Sequence, residues 1–282
     1  MQLRQHIDNP WYRAKHVSVS KAEITCVLDQ RRPYDLAQAY QYGPHVELLN
    51  LSCDQDWAGF VARWGPLLIS EVEQTQGRSR MQLDRCWAFQ RRFKSYAELL
   101  EGFGHAHLEG EKLRNFLKAS EEESKSWGLG SPATATVPFL AWLQNDPLVC
   151  QLFEKASVDC ANLDEGFPLW LRIADQQSVR QAVAYVIRNV SFAGTGSLVA
   201  EWKGVRPRIT ARVDLGSLGE ALEWMLWNSY WMKKPQIFCQ ECQRAFWPES
   251  AHPRKYCSYE CAHRATDRAW RRKQRAQEKK GG

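Results

Sequence analysis

The stretch Cys239-Gln240-Glu241-Cys242 is followed, after fourteen intervening residues, by Cys257-Ser258-Tyr259-Glu260-Cys261. Two close cysteine pairs separated by a short excursion can deliver four thiolates to one tetrahedral metal ion, with each sulfur about 2.3 Å from it. We therefore predict that Cys239, Cys242, Cys257 and Cys261 bind one Zn²⁺. Because four protein thiolates leave no position open for water, the ion is expected to be structural and not catalytic.

The spacing of the cysteines also predicts the local fold around the ion. A C-x2-C loop is tight enough to point both sulfurs inward, as Cys239 and Cys242 require. In the second pair we expect Cys257 to end a strand and Cys261 to open a helix, whose positive N-terminus favours a thiolate. A hairpin from Arg244 to Tyr256 would lie between the pairs. This arrangement is a treble-clef finger.

The spacing leaves two alternatives to zinc open. In the first, the cysteines form disulfides or their spacing is a coincidence, and in the second they bind an iron centre. The other five cysteines are scattered without paired spacing and are expected to pack as small hydrophobic residues. The chain begins without the apolar stretch of a secretory signal, and no apolar run approaches the roughly 18 residues of a membrane span. We therefore expect a cytoplasmic protein with reduced thiols, which argues against disulfides.

The positive charge of the chain is concentrated at its C-terminus. The formal net charge is +6, and residues 239–282 hold eleven Lys or Arg against five Asp or Glu. Residues 1–238 then carry 27 basic and 27 acidic side chains, so the body is formally neutral. A basic end on a neutral body favours a polyanionic partner, although a charge run is also typical of a solvated surface.

A basic helix is predicted directly after Cys261. At 100° per residue, the side chains of Arg264, Arg268, Arg271, Arg275 and Lys279 fall within about 80° of one another, and we call these residues the basic stripe. Arg272 widens it. Such a stripe suits phosphates, and we predict nucleic-acid binding by Arg264, Arg268, Arg271, Arg272, Arg275 and Lys279. A solvated helix that aids solubility or contacts an acidic protein is the alternative.

The body is predicted to be an α+β domain with a small sheet and several helices. Apolar content of 44% and charged content of 25% are typical of a globular chain. We assign residues 1–235 to this body, as a possible sensing or interaction domain, and residues 236–282 to the zinc finger and basic helix. Strands are predicted at 16–20, 24–28, 46–51, 197–203 and 208–214, and helices at 54–64, 96–117, 138–154, 176–190 and 218–232. Ser95 and a Ser217/Glu220 capping box provide two of the helix starts.

The C-terminal segment resembles the treble-clef finger of bacterial proteins of the CGNR type. The residues that carry the resemblance lie within about 237–275, and they are Phe246, Lys255-Tyr256, Cys257, Cys261 and His263-Arg264. Cys261-Ala-His-Arg stands where the family has Cys-Gly-Asn-Arg, so we expect an uncharacterised sister group. The resemblance implies a bacterial protein with a nucleic-acid-binding tail that acts as a regulator.

These observations favour a zinc-dependent regulator that binds DNA more readily than RNA. The rival of another class is an adapter that the zinc stabilises for contact with an acidic protein. An HNH-like nuclease is disfavoured, because cysteines occupy the ligand positions and only His252 and His263 lie nearby in the sequence. Elsewhere in the sequence, the group most like a metal-ligand cluster is His105, His107 and Glu109. Side chains at i and i+2 on a helix point about 200° apart, so the two imidazoles cannot bind one ion there. We predict that the chain is not an enzyme.

Overall fold

The computed structural model describes residues 11–34, 43–67, 77–104, 110–126, 181–182, 195–203, 206–214, 217–231, 237–247 and 254–278. Its strands are β1 (Trp11–Val19), β2 (Glu23–Tyr34), β3 (Arg78–Gln82), β4 (Thr195–Lys203), β5 (Arg206–Asp214), β6 (Ile237–Phe238) and β7 (Ala245–Phe246). Its helices are α1 (Pro44–Leu49), α2 (Asp54–Trp64), α3 (Leu83–Gly104), α4 (Gly110–Ser126), α5 (Leu218–Trp231) and α6 (Tyr259–Glu278). The predicted α+β class is confirmed.

The core lies between a small antiparallel sheet and the helices. The sheet has the order β1-β2-β3, with α2 packed against β1 and with α3 beside α4. Large side chains from each layer are fully buried, among them Ile24, Trp57, Phe93, Tyr96 and Phe116. Burial of a side chain of this size contributes about 1.5 to 3 kcal/mol, so this layer is a main source of stability.

The sequence Trp64-Gly65-Pro66 fixes how α2 meets the sheet. The amide of Gly65 donates to the carbonyl of Val61, and its φ of 85° is a conformation that L side chains rarely adopt. A Cβ atom at this position would lie 2.3 Å from the carbonyl oxygen of Tyr12 on β1. Only glycine allows the end of α2 to approach the strand so closely.

The predicted strand at 46–51 is wrong, because residues 44–49 form helix α1. Gly43-Pro44 does not break a strand but starts a helix, since proline is well suited to the first helical position. Leu48 and Leu49 are buried, and the side-chain amide of Gln90 on α3 donates to the carbonyls of Leu48 and Leu51. Tertiary contacts with α3 therefore satisfy the carbonyl groups at the end of this helix.

The predicted helix from Ser95 to Leu117 is also wrong in its bounds. Helix α3 begins at Leu83 and runs without a break past Ser95 to Gly104, and α4 begins at Gly110. The residues Cys86, Phe89 and Phe93 are all buried, at the spacing i, i+3, i+7 of a helix face. Helix α4 extends to Ser126, nine residues beyond the predicted end at Leu117.

Several other predictions are confirmed. Residues 195–203 and 206–214 pair as an antiparallel hairpin, and α5 begins at Leu218 with the Glu220 amide donating to Ser217 Oγ at 3.1 Å. Helix α2 ends at Trp64 as predicted, and its N-cap is Cys53. The helices predicted at 138–154 and 176–190 and the cluster His105/His107/Glu109 lie outside the described residues, apart from 181–182, which are helical. Within the described residues, no helix is both long and apolar enough to cross a bilayer.

Candidate metal centre

The four predicted cysteines come together at one point. Their sulfur atoms all lie within 4.8 Å of one another, with Cys257 Sγ 3.5 Å from Cys242 Sγ and 3.6 Å from Cys261 Sγ. A tetrahedral ion about 2.3 Å from each sulfur requires sulfur–sulfur distances of about 3.8 Å. All four are free thiols, so the distances are those of a ligand set and not of disulfides. The site can hold a metal ion.

A tight turn between β6 and β7 places the first two ligands. The amide of Cys239 donates to the carbonyl of Arg244 at 2.9 Å, and the amide of Gln243 donates back to the carbonyl of Cys239 at 2.8 Å. Gln243 has a φ of 59°, which closes the turn. The amide of Gln240 donates to the carbonyl of Lys255 and so ties this turn to the segment that carries the second pair.

The second pair lies at the start of α6. Cys257 is in a bend just before the helix and does not end a strand, and within the described part of the predicted hairpin 244–256 the strand is β7, which pairs with β6. Cys261 is the third residue of α6, and its amide donates to Ser258 Oγ at 3.3 Å. A hairpin, a turn and a helix N-terminus thus converge on the sulfurs, an arrangement compatible with a small zinc finger. We call residues 237–247 and 254–278 the cysteine module.

The surroundings of the sulfurs favour negative charge at two of them. Burial alone would raise the pKa of Cys239, but the backbone amides of Cys242, Cys257 and Glu241 outweigh it and lower this pKa to about 6. The guanidinium of Arg264, 3.1 Å from Cys261 Sγ, is the main cause of the lowered pKa of Cys261.

The pKa of the Cys257 thiol shifts in the opposite direction. Burial, followed by the neighbouring sulfurs, raises the pKa of Cys257 to about 12. Crowded thiols repel one another when ionised, whereas a bound cation would stabilise all four as thiolates. This electrostatic conflict at Cys257 is what a metal ion would resolve.

The cysteine module is docked on the body through α1. Asn50 Nδ2 donates to the carbonyl of Ala245 at 2.9 Å, and the amide of Ala245 donates to Asn50 Oδ1 at 2.8 Å. Ala245 is buried in the same core cluster as the sheet and helices of the body. Trp247 packs edge-on against the buried ring of His45, with ring centroids 4.8 Å apart. These contacts cross the predicted boundary at 235/236.

Sequence reasoning missed this docking surface. The partners Asn50 and Ala245 are 195 residues apart, and neither has a neighbourhood pattern that marks a contact. His45 is wholly buried, and desolvation lowers its pKa to about 3. The ring is therefore neutral in the packed structure and suited to an aromatic neighbour.

Replacement of Asn50 by Ala should weaken the docking. Both backbone groups of Ala245 would lose their partners in a partly buried place, at a cost of about 1 to 3 kcal/mol. Urea unfolding should show this loss, and the rate of metal transfer to a chelator should rise because the hairpin opens more easily. Asn115→Ala, at an exposed position of α4, is the matched control and should change neither quantity. Equal stability of the two variants would contradict the assigned role of Asn50.

The predicted nucleic-acid-binding residues divide into two groups. Arg264 contacts the Cys261 sulfur within α6, whereas Arg268 forms an ion pair with Glu241 and so holds α6 against the β6–β7 turn. Arg271, Arg272 and Arg275 are exposed and, in the part of the chain that the structure describes, form no ion pair. Lys279 lies outside the described residues.

Helix α6 extends away from the rest of the protein. Every side chain described from Thr266 to Arg275 is exposed, and twenty residues of helix span about 30 Å. Among the large hydrophobic side chains described, Tyr259 and Trp270 on this helix are 78% and 61% exposed. The helix presents its charge and its aromatic rings to solvent.

No protein-family model, curated protein or solved structure matches the chain. The resemblance to CGNR-type fingers thus stays a prediction.

Proposed function

We propose that the cysteine module binds one structural Zn²⁺ and that α6 attaches the protein to nucleic acid, in the manner of a regulator. The single observation that carries the proposal is the exposed row of arginines on a helix whose first turn belongs to the metal site. Four thiolates in a tetrahedral arrangement are a typical ligand set for zinc. Arg264 and Arg268 contact other residues of the cysteine module, while Arg271, Arg272 and Arg275 are available to phosphates.

The charge distribution supports a polyanionic partner. A helix packed against the body would have one buried face and one exposed face. In α6, by contrast, every side chain described from Thr266 to Arg275 is exposed. Helices of this kind need another source of stability or a partner. Phosphate oxygens satisfy arginine donors in bidentate geometry, and each neutralised phosphate releases counterions. DNA is preferred to RNA because a straight exposed helix suits the B-form major groove.

Removal of the two outer arginines should weaken this attachment. The Arg271→Gln/Arg275→Gln variant is expected to bind mixed-sequence DNA at least about tenfold more weakly at moderate salt, with the salt slope lowered by up to about 2. Glutamine preserves the helix, so the change is one of charge. Fluorescence anisotropy over a salt series measures both quantities.

A matched control keeps the net charge equal. Arg63→Gln/Arg91→Gln removes two exposed arginines that pair with Glu47 and Glu122 on the body, and it should bind DNA like the wild type. The proposal would be sunk if the wild-type protein showed no salt-sensitive binding to DNA or RNA, or if the control and the helix variant behaved alike.

An adapter that binds an acidic protein is the second candidate. Trp270 favours it, because an exposed tryptophan beside arginines is typical of the centre of a protein interface. Trp270 also lies on a different side of α6 from the basic stripe, as the helical period requires. Co-purification separates the two functions, since nuclease treatment would release partners held by nucleic acid and leave acidic proteins bound.

A further inference from the structure

The outer face of the β1-β2-β3 sheet forms a shallow groove. Strand residues alternate between the core and this face, so Ile24, Cys26 and Met81 are buried while Thr25 and Val27 point outward. The groove has a volume of about 290 Å³. We call it the sheet groove, and its outward side chains are His16, Ser18, Thr25, Val27, Arg78 and Arg80.

Basic side chains occupy both edges of the sheet groove. On β1 the pairing skips a residue between Ala14 and His16, and this bulge leaves Lys15 and His16 both exposed. On β3 the exposed residues Arg78 and Arg80 are two apart and lie on the same face. Because β2 separates the two edge strands, the two basic rows are about 10 Å apart.

The floor between these rows consists of the small side chains of Ser18, Thr25 and Val27. Ser18 and Thr25 are register partners, and their hydroxyl oxygens lie 2.5 Å apart. Thr25 is in turn paired with Arg80, so one row across the sheet reads serine, threonine, arginine. The next row places His16 and Arg78 on either side of Val27, which is 36% exposed. Nothing bulky on this floor would block a strand that lies along it.

The arginines of the neighbouring helix α3 contact groups of the body. Arg85 donates to the carbonyl of Ser126, Arg91 pairs with Glu122, and Arg92 is buried with Glu123 and Glu223. The acidic residues on the groove's own face are Glu23 and Asp29, toward the two ends of its stretch of β2. On this face Lys15, Arg78 and Arg80 lie beside Glu23 and Asp29, which leaves an excess of one positive charge among these residues.

We propose that the sheet groove binds the phosphodiester backbone of a nucleic acid as a second contact surface. The inference rests on the proposed function, which it extends from α6 to the body. A site for a small anion brings its donors to one point, whereas these cations line two edges of an open groove. That geometry fits an extended chain of phosphates, and strand residues offer hydroxyl and guanidinium donors to it.

The test compares charge-matched double variants of the full-length protein in the zinc-loaded state. Arg78→Gln/Arg80→Gln is titrated with a fluorescein-labelled oligonucleotide of mixed sequence, single- and double-stranded, over a series of salt concentrations. The expected result is affinity lower by at least about tenfold and a salt slope smaller by up to about 2. Lys15→Gln, on the opposite edge, should give a smaller loss in the same direction. Arg63→Gln/Arg91→Gln again serves as the control.

The possible outcomes separate this proposal from the proposed function. Weaker binding by the sheet variant, when Arg271→Gln/Arg275→Gln has no effect, would support the sheet groove and contradict the role of α6. Unchanged binding by the sheet variant would overturn the present inference, whatever the helix variant does. If the sheet variant loses binding to inorganic phosphate alone and keeps the oligonucleotide, the groove is a small-anion site and the inference is wrong.

Discussion

Replacement of Cys257 by Ser is expected to reduce the zinc content of the purified protein from about one ion per chain to nearly none. The free energy of unfolding should fall by at least about 3 kcal/mol, because small zinc modules gain roughly 10 to 16 kcal/mol from their metal. The loss reaches the body, since Ala245 in the same module is part of the common core. Elemental analysis and urea unfolding, each with and without a chelator, measure the two effects.

Cys53→Ser is the matched control for this experiment. Cys53 is an exposed thiol at the N-cap of α2 and is not in the ligand set, and serine is among the preferred residues at that position. This variant should keep its zinc and unfold at the same or slightly higher urea concentration. A Cys257→Ser protein that still carried one tightly held zinc would end the assignment of this residue as a ligand.

Replacement of Arg92 by Met should be the most damaging change in the body. The Arg92 guanidinium forms ion pairs with Glu123 of α4 and Glu223 of α5, and the three side chains are only 12%, 13% and 19% exposed. Without the cation, two acidic side chains would be left unpaired in a largely buried place. We expect a loss of about 3 to 5 kcal/mol in the free energy of unfolding, measured by urea denaturation.

The pH dependence of this loss gives a second measurement. Burial raises the pKa of Glu223 above its ordinary value of 4.5, and Arg92 opposes that rise. In Arg92→Met only the raising effect remains, so the stability of the variant is highest below the unfolded pKa and falls as pH increases through the folded one. The deficit relative to wild type should thus be larger at neutral pH than near pH 4.5.

Arg91→Met is the control for the buried pair. Arg91 and Glu122 are 3.3 Å apart, but their side chains are 55% and 58% exposed. Exposed pairs of this kind contribute about 0 to 1 kcal/mol, so this variant should differ little from wild type at either pH. Equal losses for Arg91→Met and Arg92→Met would show that charge removal from α3, and not the buried network, determines the effect.

Local signals in the sequence were enough to predict the metal ligands. Cysteine spacing depends on residues within a few positions of one another, and the capping pair Ser217/Glu220 is equally local. The helix after Cys261 followed from the same reasoning. The two cysteines of each pair lie within one turn of each other, as do Ser217 and Glu220, and the structure brings the four sulfurs together and begins α5 at Leu218.

Elements whose partners lie far away in the sequence were predicted less well. In the segment 46–51, predicted as a strand, only Val46 strongly favours one, and Gln90 on α3 satisfies the carbonyls of Leu48 and Leu51 at the end of a helix. Ser95 has the chemistry of an N-cap but lies in the middle of α3, where burial of Phe93 and Tyr96 outweighs the local preference. The partners of Arg92, Glu123 and Glu223, are 31 and 131 residues away, and no local pattern in the sequence marks them.

The contact between Asn50 and Ala245 bears on whether the C-terminal segment is a transferable cassette. A fragment that began at residue 236 would keep its four cysteines and its basic helix, but it would expose Ala245 and Trp247 and lose the amide that satisfies the backbone of β7. Grafted onto another protein, the segment would need a substitute for α1. Transfer of this zinc finger to another protein by recombination would therefore have to include part of the body. The metal ligands and residues 43–50 would have to be transferred together.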